Sequence, residues 1–562
     1  TNYYKTATME TNRIEIICKN NNRRIKVLAG TTISELKLLL EVNMPAPIVG
    51  ALINNKLSSL ETPIYRNKTI EFIDQSSESG LRIYVRSLVF VLYKAINDLI
   101  PNGKLRIEHP VSNGYYCEIF SNKQKISSEQ LSAIKERMKE IINADIPFVQ
   151  HYEPTSDIEQ LFRDAHNSDC ADLLHYKKEY YSVYYTLDGL PDFYPSLLVP
   201  STGQLKVFDI CPYFEGFLLQ IPKKTNHKEL AEIVEQKKMY EIFKEHRQWC
   251  RIIGVNNIAD VNSIKRSDLN ILIKVTEALH EKKIVQIADK IAHNQNIRVI
   301  LVAGPSSSGK TTFSKRLSVQ LAASGIIPEA LSLDNYFINR ESTPIDENGE
   351  HDFESIHALD LPYLNSQLEQ LINGKEVETP IYNFETGKRE AKGKKMQIKD
   401  GQVLVIEGIH GLNPELTKTI PDETKFKIYV SALTTLSGND HNWIPTSDTR
   451  ILRRIIRDHK YRSYSAENTI LRWPSVRRGE NKWIFPYQEN ADAMFNSSLL
   501  FELSAIKKQA EPILMEVGQN SNAYPEARRL LNLLQFFTPI SYNDIPATSL
   551  LREFLGGSGF RY

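Results

Sequence analysis

Cysteine is scarce and scattered. The five residues, Cys18, Cys117, Cys170, Cys211 and Cys250, form no C-x-x-C pair and no Cys/His spacing that would ligate zinc. That argues against a disulfide scaffold or a zinc module and points to reduced, structural thiols in a cytoplasmic protein. No uncharged apolar run approaches the roughly 20 residues needed to cross a bilayer. The opening TNYYKTATMETNRIEI is polar and lacks a secretory apolar core, so no membrane partner is expected. Neither sign of charge dominates: 69 Lys and Arg against 68 Asp and Glu leave a net charge of +1. There is accordingly no whole-chain electrostatic case for nucleic acid as the main partner. Solenoid repeats and low-complexity tracts are missing too. What the chain does have is 562 residues with 41% hydrophobic content, enough for three or four domains of about 150 residues each.

Along the chain, residues 12–75 read as a small mixed α/β module. Alternating stretches Ile14–Cys18 and Arg24–Leu28 predict strands, and Thr32 with Glu35 predicts a capping box for a helix carrying Leu36, Leu38 and Leu39. Further strands are expected at Val49–Ile53, broken by Asn54-Asn55, and at Thr69–Ile73. Residues 80–222 read as an α+β unit with helices near 84–100 and 128–143. Residues 223–296 are Lys/Glu-rich with helical periodicity and read as a helical connector. A buried-type strand, Arg298–Ala303, opens the next unit.

Residues 298–317, RVILVAGPSSSGKTTFSKRL, run strand, glycine-bounded loop, amphipathic helix. Gly304, Gly309, Lys310 and Thr311 satisfy G-x-x-x-x-G-K-[ST] in the context that gives this pattern meaning. Gly304, Pro305, Ser306, Ser307, Ser308, Gly309, Lys310, Thr311 and Thr312 form the expected phosphate-binding segment, whose backbone N–H groups converge on phosphate oxygens. Lys310 is expected on the β/γ-phosphates of ATP or GTP, and the Thr311 hydroxyl on Mg²⁺.

Two acids follow apolar runs, Asp334 after Ala330–Leu333 and Glu407 after Val403–Ile406. An open parallel sheet presents its site at such strand ends. Asp334 is the candidate base for an acceptor hydroxyl and a metal neighbour; Glu407 is the candidate Mg²⁺ or water-positioning ligand. Arg450, Arg453, Arg454 and Arg457 recur at i, i+3, i+4 and i+7, one helix face of like charge that repels itself unless an anion lies opposite. Beside a phosphate loop, this face reads as a lid over a triphosphate.

Several motifs occur together and in order: GPSSSGKT, LSLDNYF, HDFESIHALD, PIYNF, VIEGIHGL and DTRILRRIIRD. With them, residues 297–517 resemble the uridine kinase/phosphoribulokinase group of P-loop kinases, leaving 518–562 as a C-terminal extension. The resemblance implies that Asp334 deprotonates the acceptor's hydroxyl and that Glu354 holds ribose hydroxyls. It also implies that Tyr382 and Phe384 pack around the acceptor base, and that Arg462 acts near acceptor and phosphates. There are departures. Gly387 stands where uridine kinases carry a base-reading histidine, Tyr464 replaces a second lid arginine, Ser437–Pro445 is inserted, and Arg472–Asn496 follows its own pattern.

The first 222 residues resemble the N-terminal part of threonyl-tRNA synthetase. Residues 12–75 are similar to its ubiquitin-like TGS domain, and KLRIEHPVSNGYYCEI with LVPSTGQLKVF to its editing domain. The positions that carry editing chemistry are Arg86, Phe90, Tyr194 and Leu198, so that domain is expected to be inactive. The fold expected is thus a P-loop NTPase parallel-sheet kinase domain preceded by a β-grasp TGS domain and an α+β synthetase-like domain. The expected function is transfer of a γ-phosphoryl group to the 5′-hydroxyl of a nucleoside. Its alternatives are a kinase for another polyol or sugar phosphate, which Lys388 and Arg389 would favour, and an RNA- or tRNA-associated regulatory protein. A homo-oligomer is left open.

Overall fold

Period-two alternation builds the first sheet. Ile14, Ile16 and Cys18 are buried while their neighbours face outward, as a half-buried strand requires. The computed structural model describes residues 13–120 and 126–561, and these fall into two units, each described here by itself. The first comprises residues up to Glu235 together with Ser437–Trp443 and Met515–Phe536; the second comprises Gln236–Leu436, Ile444–Leu514 and the chain from Phe537 onward.

In the first unit, a five-stranded sheet runs Arg24–Leu28, Arg13–Cys18, Lys68–Asp74, Ile48–Ile53, Lys56–Ser58. The Thr32/Glu35 capping box is present at the helix Ile33–Leu39. Only Ile33 and Leu36, one turn apart, are buried there; Leu38 and Leu39 are exposed. A seven-residue helix offers a single narrow face, and Ile33 and Leu36 fill it. Asn54 and Asn55 both take positive φ between Ile53 and Lys56, the turn a two-residue hairpin needs.

The same unit contains the long helix Glu78–Leu99, an antiparallel sheet ordered Asp209–Tyr213, Gly216–Gln220, Gly114–Phe120, Lys104–Val111, and the helix Ser128–Asn143. Phe90 is fully buried, with ring centroids 5.4 Å from Tyr194 and 5.8 Å from Phe148; Leu198 is buried in the same core. The inserted hairpin, strands Ser437–Asn439 and Asn442–Trp443, belongs to this unit. Its His441 Nδ1 lies 2.8 Å from Asp192, its Asn439 amide donates to Cys170 Sγ, and Asp440 pairs with Arg106 at 2.7 Å.

The second unit is built on five parallel strands: β1 (Val299–Ala303), β2 (Ile327–Ser332), β3 (Gln402–Glu407), β4 (Lys425–Ser431) and β5 (Ala493–Asn496), in the order β2-β3-β1-β4-β5. Both faces are covered, which is why β1 is apolar throughout. Ile300 and Val302 join Phe313, Leu317 and Leu321 of helix α1 (Lys310–Ala323), while Val299 and Leu301 join Leu364, Leu368 and Leu371 on the opposite side. The helices Lys237–Ile253 and Arg266–Ala292, expected as a connector, are packed into this unit. Ile284, Ile287 and Ile291 complete the α1 layer. Among the described residues no helix is long and apolar enough to cross a membrane.

Candidate functional site

The loop between β1 and α1 is shaped by contacts a side chain would destroy. A Cβ on Gly304 would lie 1.9 Å from the Val430 carbonyl oxygen. Two buried ion pairs hold the loop from behind, both from helix α2 (Thr446–Arg462). Arg450 pairs with Glu480, on helix α3 (Ala466–Trp483), and donates through Nε to the Ser306 carbonyl at 2.9 Å. Arg453 pairs with Glu502 and donates to the carbonyls of Ser307 and Ser497. Both arginines are essentially inaccessible. The expected lid face is therefore split: Arg450 and Arg453 brace the loop, and Arg454 and Arg457 line the cavity in front of it. Arg454 also donates to Ser306 Oγ at 3.0 Å, and both of these cavity arginines pair with Asp458.

In front of the loop lies a cavity of about 1250 Å³. Of the residues singled out from the sequence, Ser306, Ser307, Gly309, Lys310, Thr311, Asp334, Glu354, Tyr382, Phe384, Glu407 and Arg462 line it. Gly304, Pro305, Ser308 and Thr312 are not among the lining residues. Lys310 Nζ donates to the Pro305 carbonyl at 3.2 Å. Ser307 Oγ and Ser308 Oγ are buried without a hydrogen-bond partner among the described residues, an arrangement that suits an anion with several acceptor oxygens.

Glu407 ends β3 and is paired in register with Ser332, the last residue of β2, and with Val302 of β1. Asp334 follows two residues after Ser332, in a short turn capped by the Ser332 hydroxyl. The two acids thus sit at neighbouring strand ends, at the edge where a parallel sheet binds ligands. Thr311 Oγ1 donates to Glu407 Oε1 at 3.2 Å. Burial pushes the Glu407 carboxyl up to about 7, with Lys310 opposing and Asp334 adding to the rise. Glu354 is likewise pushed up to about 7, first by burial, with Arg454 holding it down and Glu480 raising it. A hydroxyl and two carboxylates beside a phosphate loop fit Mg²⁺, which takes one or two carboxylates and completes its shell with phosphates and water.

The far wall is aromatic. Phe337, Tyr382 and Phe384 have centroids 5.2–6.4 Å apart, and the Arg462 guanidinium lies 5.5 Å from the Phe384 ring. Burial and then Arg457 lower the Arg462 pKa, while Asp458 and Asp334 oppose this. Gly387 has φ +70°, and a Cβ there would lie 2.8 Å from the Arg340 side chain, whose backbone N–H donates to the Gly387 carbonyl. Arg340 also donates to the Phe384 carbonyl and has no ion-pair partner among the described residues. Arg389, by contrast, is engaged by Asp360 at 3.0 Å and by the carbonyls of Tyr336 and Phe337. Lys388 lies 3.6 Å from Glu341. The sequence reading missed Phe337 and Arg340. Phe337 stood inside the quoted LSLDNYF stretch, while Arg340 carried no motif.

Comparison with known proteins bears on the same segment. Residues 299–500 match the Phosphoribulokinase / Uridine kinase family. The chain is 31% identical over 198 residues to a uridine kinase of Staphylococcus haemolyticus, covering 35% of this chain and 86% of the relative. It is 31% identical over 195 residues to a uridine kinase of Bacillus pumilus, covering 34% and 83%. Among solved structures it is similar to a possible uridine kinase from Bacillus stearothermophilus, at 19% identity and a TM-score of 0.26 over 38% of this chain and 98% of the other.

Proposed function

Because the chain belongs to the phosphoribulokinase / uridine kinase family through residues 299–500, we propose that it transfers the γ-phosphoryl group of ATP to the 5′-hydroxyl of a nucleoside, with GTP as an alternative donor. One observation carries this reading: Lys310, Thr311, Asp334, Glu407, and Arg454, Arg457 and Arg462 of α2 converge on a single cavity whose far wall is aromatic. The loop N–H groups and Lys310 hold the triphosphate, and Arg454 and Arg457 balance charge that spreads over the transferring group. Asp334 accepts the acceptor's proton. Thr311 and Glu407, with Asp334 beside them, would hold Mg²⁺, which when bound neutralises phosphate charge. Tyr382 and Phe384 offer faces for a base, and Glu354 an acceptor for sugar hydroxyls.

Arg340 supports a second reading, a polyol or sugar phosphate acceptor. It fills the space left by Gly387 and, among the described residues, is a cation without an ion-pair partner on the acceptor wall, whereas Arg389 is committed to Asp360. An ADP-release screen across nucleosides and sugar phosphates, run with wild type and Arg340→Ala, separates the two. A nucleoside kinase turns over nucleosides and keeps most of its kcat/KM in the variant. A sugar phosphate kinase loses roughly tenfold to a hundredfold, the scale of a charge-assisted contact worth about 1.5–3 kcal/mol. For the first unit we propose a TGS-like module and an editing-like domain without hydrolytic chemistry, since Arg86, Phe90, Tyr194 and Leu198 offer neither imidazole nor thiolate.

A further inference from the structure

The chain from Ser549 onward returns to the phosphate loop from 241 residues away. Thr312 stands in the first turn of α1, where backbone N–H groups point at bound phosphate. Its N–H and its hydroxyl both donate to one carboxylate oxygen of Glu553, at 3.3 and 2.7 Å. Glu553 lines the same cavity as Lys310 and Thr311, and its charge adds to the forces that raise the Glu407 carboxyl.

The segment that carries Glu553 is anchored. Phe554 is fully buried in the core above α1, with the Arg453 guanidinium 5.1 Å from its ring. Leu550 presses on the loop so closely that a Cβ on Gly309 would lie 2.4 Å from it. Arg552 donates to the carbonyls of Ile545 and Gly556, and Lys460, near the end of α2, donates to the Leu555 carbonyl at 2.7 Å. The carboxylate is therefore held at the loop by packing on both sides of it, and is not a side chain swinging in solvent.

A P-loop offers these first-turn donors to the α- and β-phosphates of its nucleotide. A carboxylate and a phosphate, both anionic, cannot share them. Building on the reading of this loop as the triphosphate site, we propose that Glu553 is an intramolecular occupant of the donors of Thr312, which the nucleotide must displace, so that the C-terminal segment sets the nucleotide affinity of the kinase unit. Displacement requires only a rotamer change at Glu553 or a shift of the short helix α4 (Arg552–Leu555).

The test is calorimetric titration of the full chain with Mg·ADP, comparing wild type, Glu553→Gln, Glu553→Ala and a surface control, Glu423→Gln. A carboxylate seated nine-tenths of the time hides about nine-tenths of the competent state, so its removal tightens binding by about tenfold. The expected order is Ala and Gln both tighter than wild type, by at least about fivefold, with the control unchanged. Glu553→Gln keeps the shape of the side chain, so it decides the matter should the alanine variant fold poorly. Equal or weaker binding in the glutamine variant overturns the proposal and would make Glu553 a helix cap alone. The failure of the underlying reading looks different: neither wild type nor either variant would bind Mg·ADP at all.

Discussion

Glu407 ends β3 and Asp334 lies two residues past the end of the adjacent β2, yet the two acids have different surroundings. Glu407 accepts from Thr311 and shares its surroundings with Lys310, which on the proposed function puts it on the phosphate and metal side. Asp334 sits one turn from Phe337, on the aromatic wall. If Asp334 takes the acceptor's proton, Asp334→Asn should lower turnover by at least about a hundredfold, the lower range of general-base assistance. Mg·ADP affinity should stay within about threefold of wild type. Single-turnover assays beside equilibrium titration check both figures; a variant that loses nucleotide affinity and turnover together would place Asp334 on the nucleotide side. These two acids were legible in the sequence because each follows a short strand-like run and a phosphate loop precedes both. Glu553 was not. It has no motif, and the contact that gives it meaning spans 241 residues, which no local pattern encodes.

Helix α2 is the element where the sequence was half readable. Spacing put four arginines on one face, and the amphipathic helix is there, with Ile451, Leu452, Ile455 and Ile456 buried as expected. Spacing could not reveal that Arg450 and Arg453 are buried as well. Their carboxylate partners, Glu480 and Glu502, lie 30 and 49 residues further on, beyond any helical periodicity. The division makes opposite predictions for neighbouring residues. Arg453→Ala leaves Glu502 as an unpaired charge in the interior, which costs about 3–5 kcal/mol, so its unfolding midpoint should fall by several degrees. Arg457→Ala removes a cavity-facing charge and should lower the midpoint by less than Arg453→Ala does, because Asp458 keeps Arg454 as a partner. Its turnover should instead fall by about tenfold to a thousandfold. Paired thermal melts and steady-state rates on the two variants check the division; similar losses of stability in both would contradict it.

At the scale of the whole molecule, the insertion after the strand Phe426–Val430 was visible as Ser437–Pro445, but its destination was not. It supplies the first unit with His441, whose imidazole is buried against Asp192. Burial pulls the His441 pKa down, but Asp192, followed by Asp169 and Asp440, outweighs it and lifts the group to about 9. A folded pKa above the ordinary 6.5 means that the pair's contribution is complete below pH 6.5 and is lost as pH rises through 9. Between pH 6.5 and 9.5, the unfolding midpoint of wild type should therefore fall more steeply than that of His441→Ala; parallel slopes would show that the imidazole is uncharged in the fold. The alanine variant itself should be less stable by about 3–5 kcal/mol at pH 7, because it leaves Asp192 buried and unpaired. The central claim remains that this chain moves a phosphoryl group with its glycine-bounded loop. It is tested most directly by measuring ADP release by the full chain, wild type against Lys310→Ala, across a panel of nucleosides and sugar phosphates. Lys310 donates to the Pro305 carbonyl, a contact inside the loop itself, so the variant should keep the wild-type melting curve and lose turnover with every acceptor. A variant that folds normally and turns over at the wild-type rate would contradict the account.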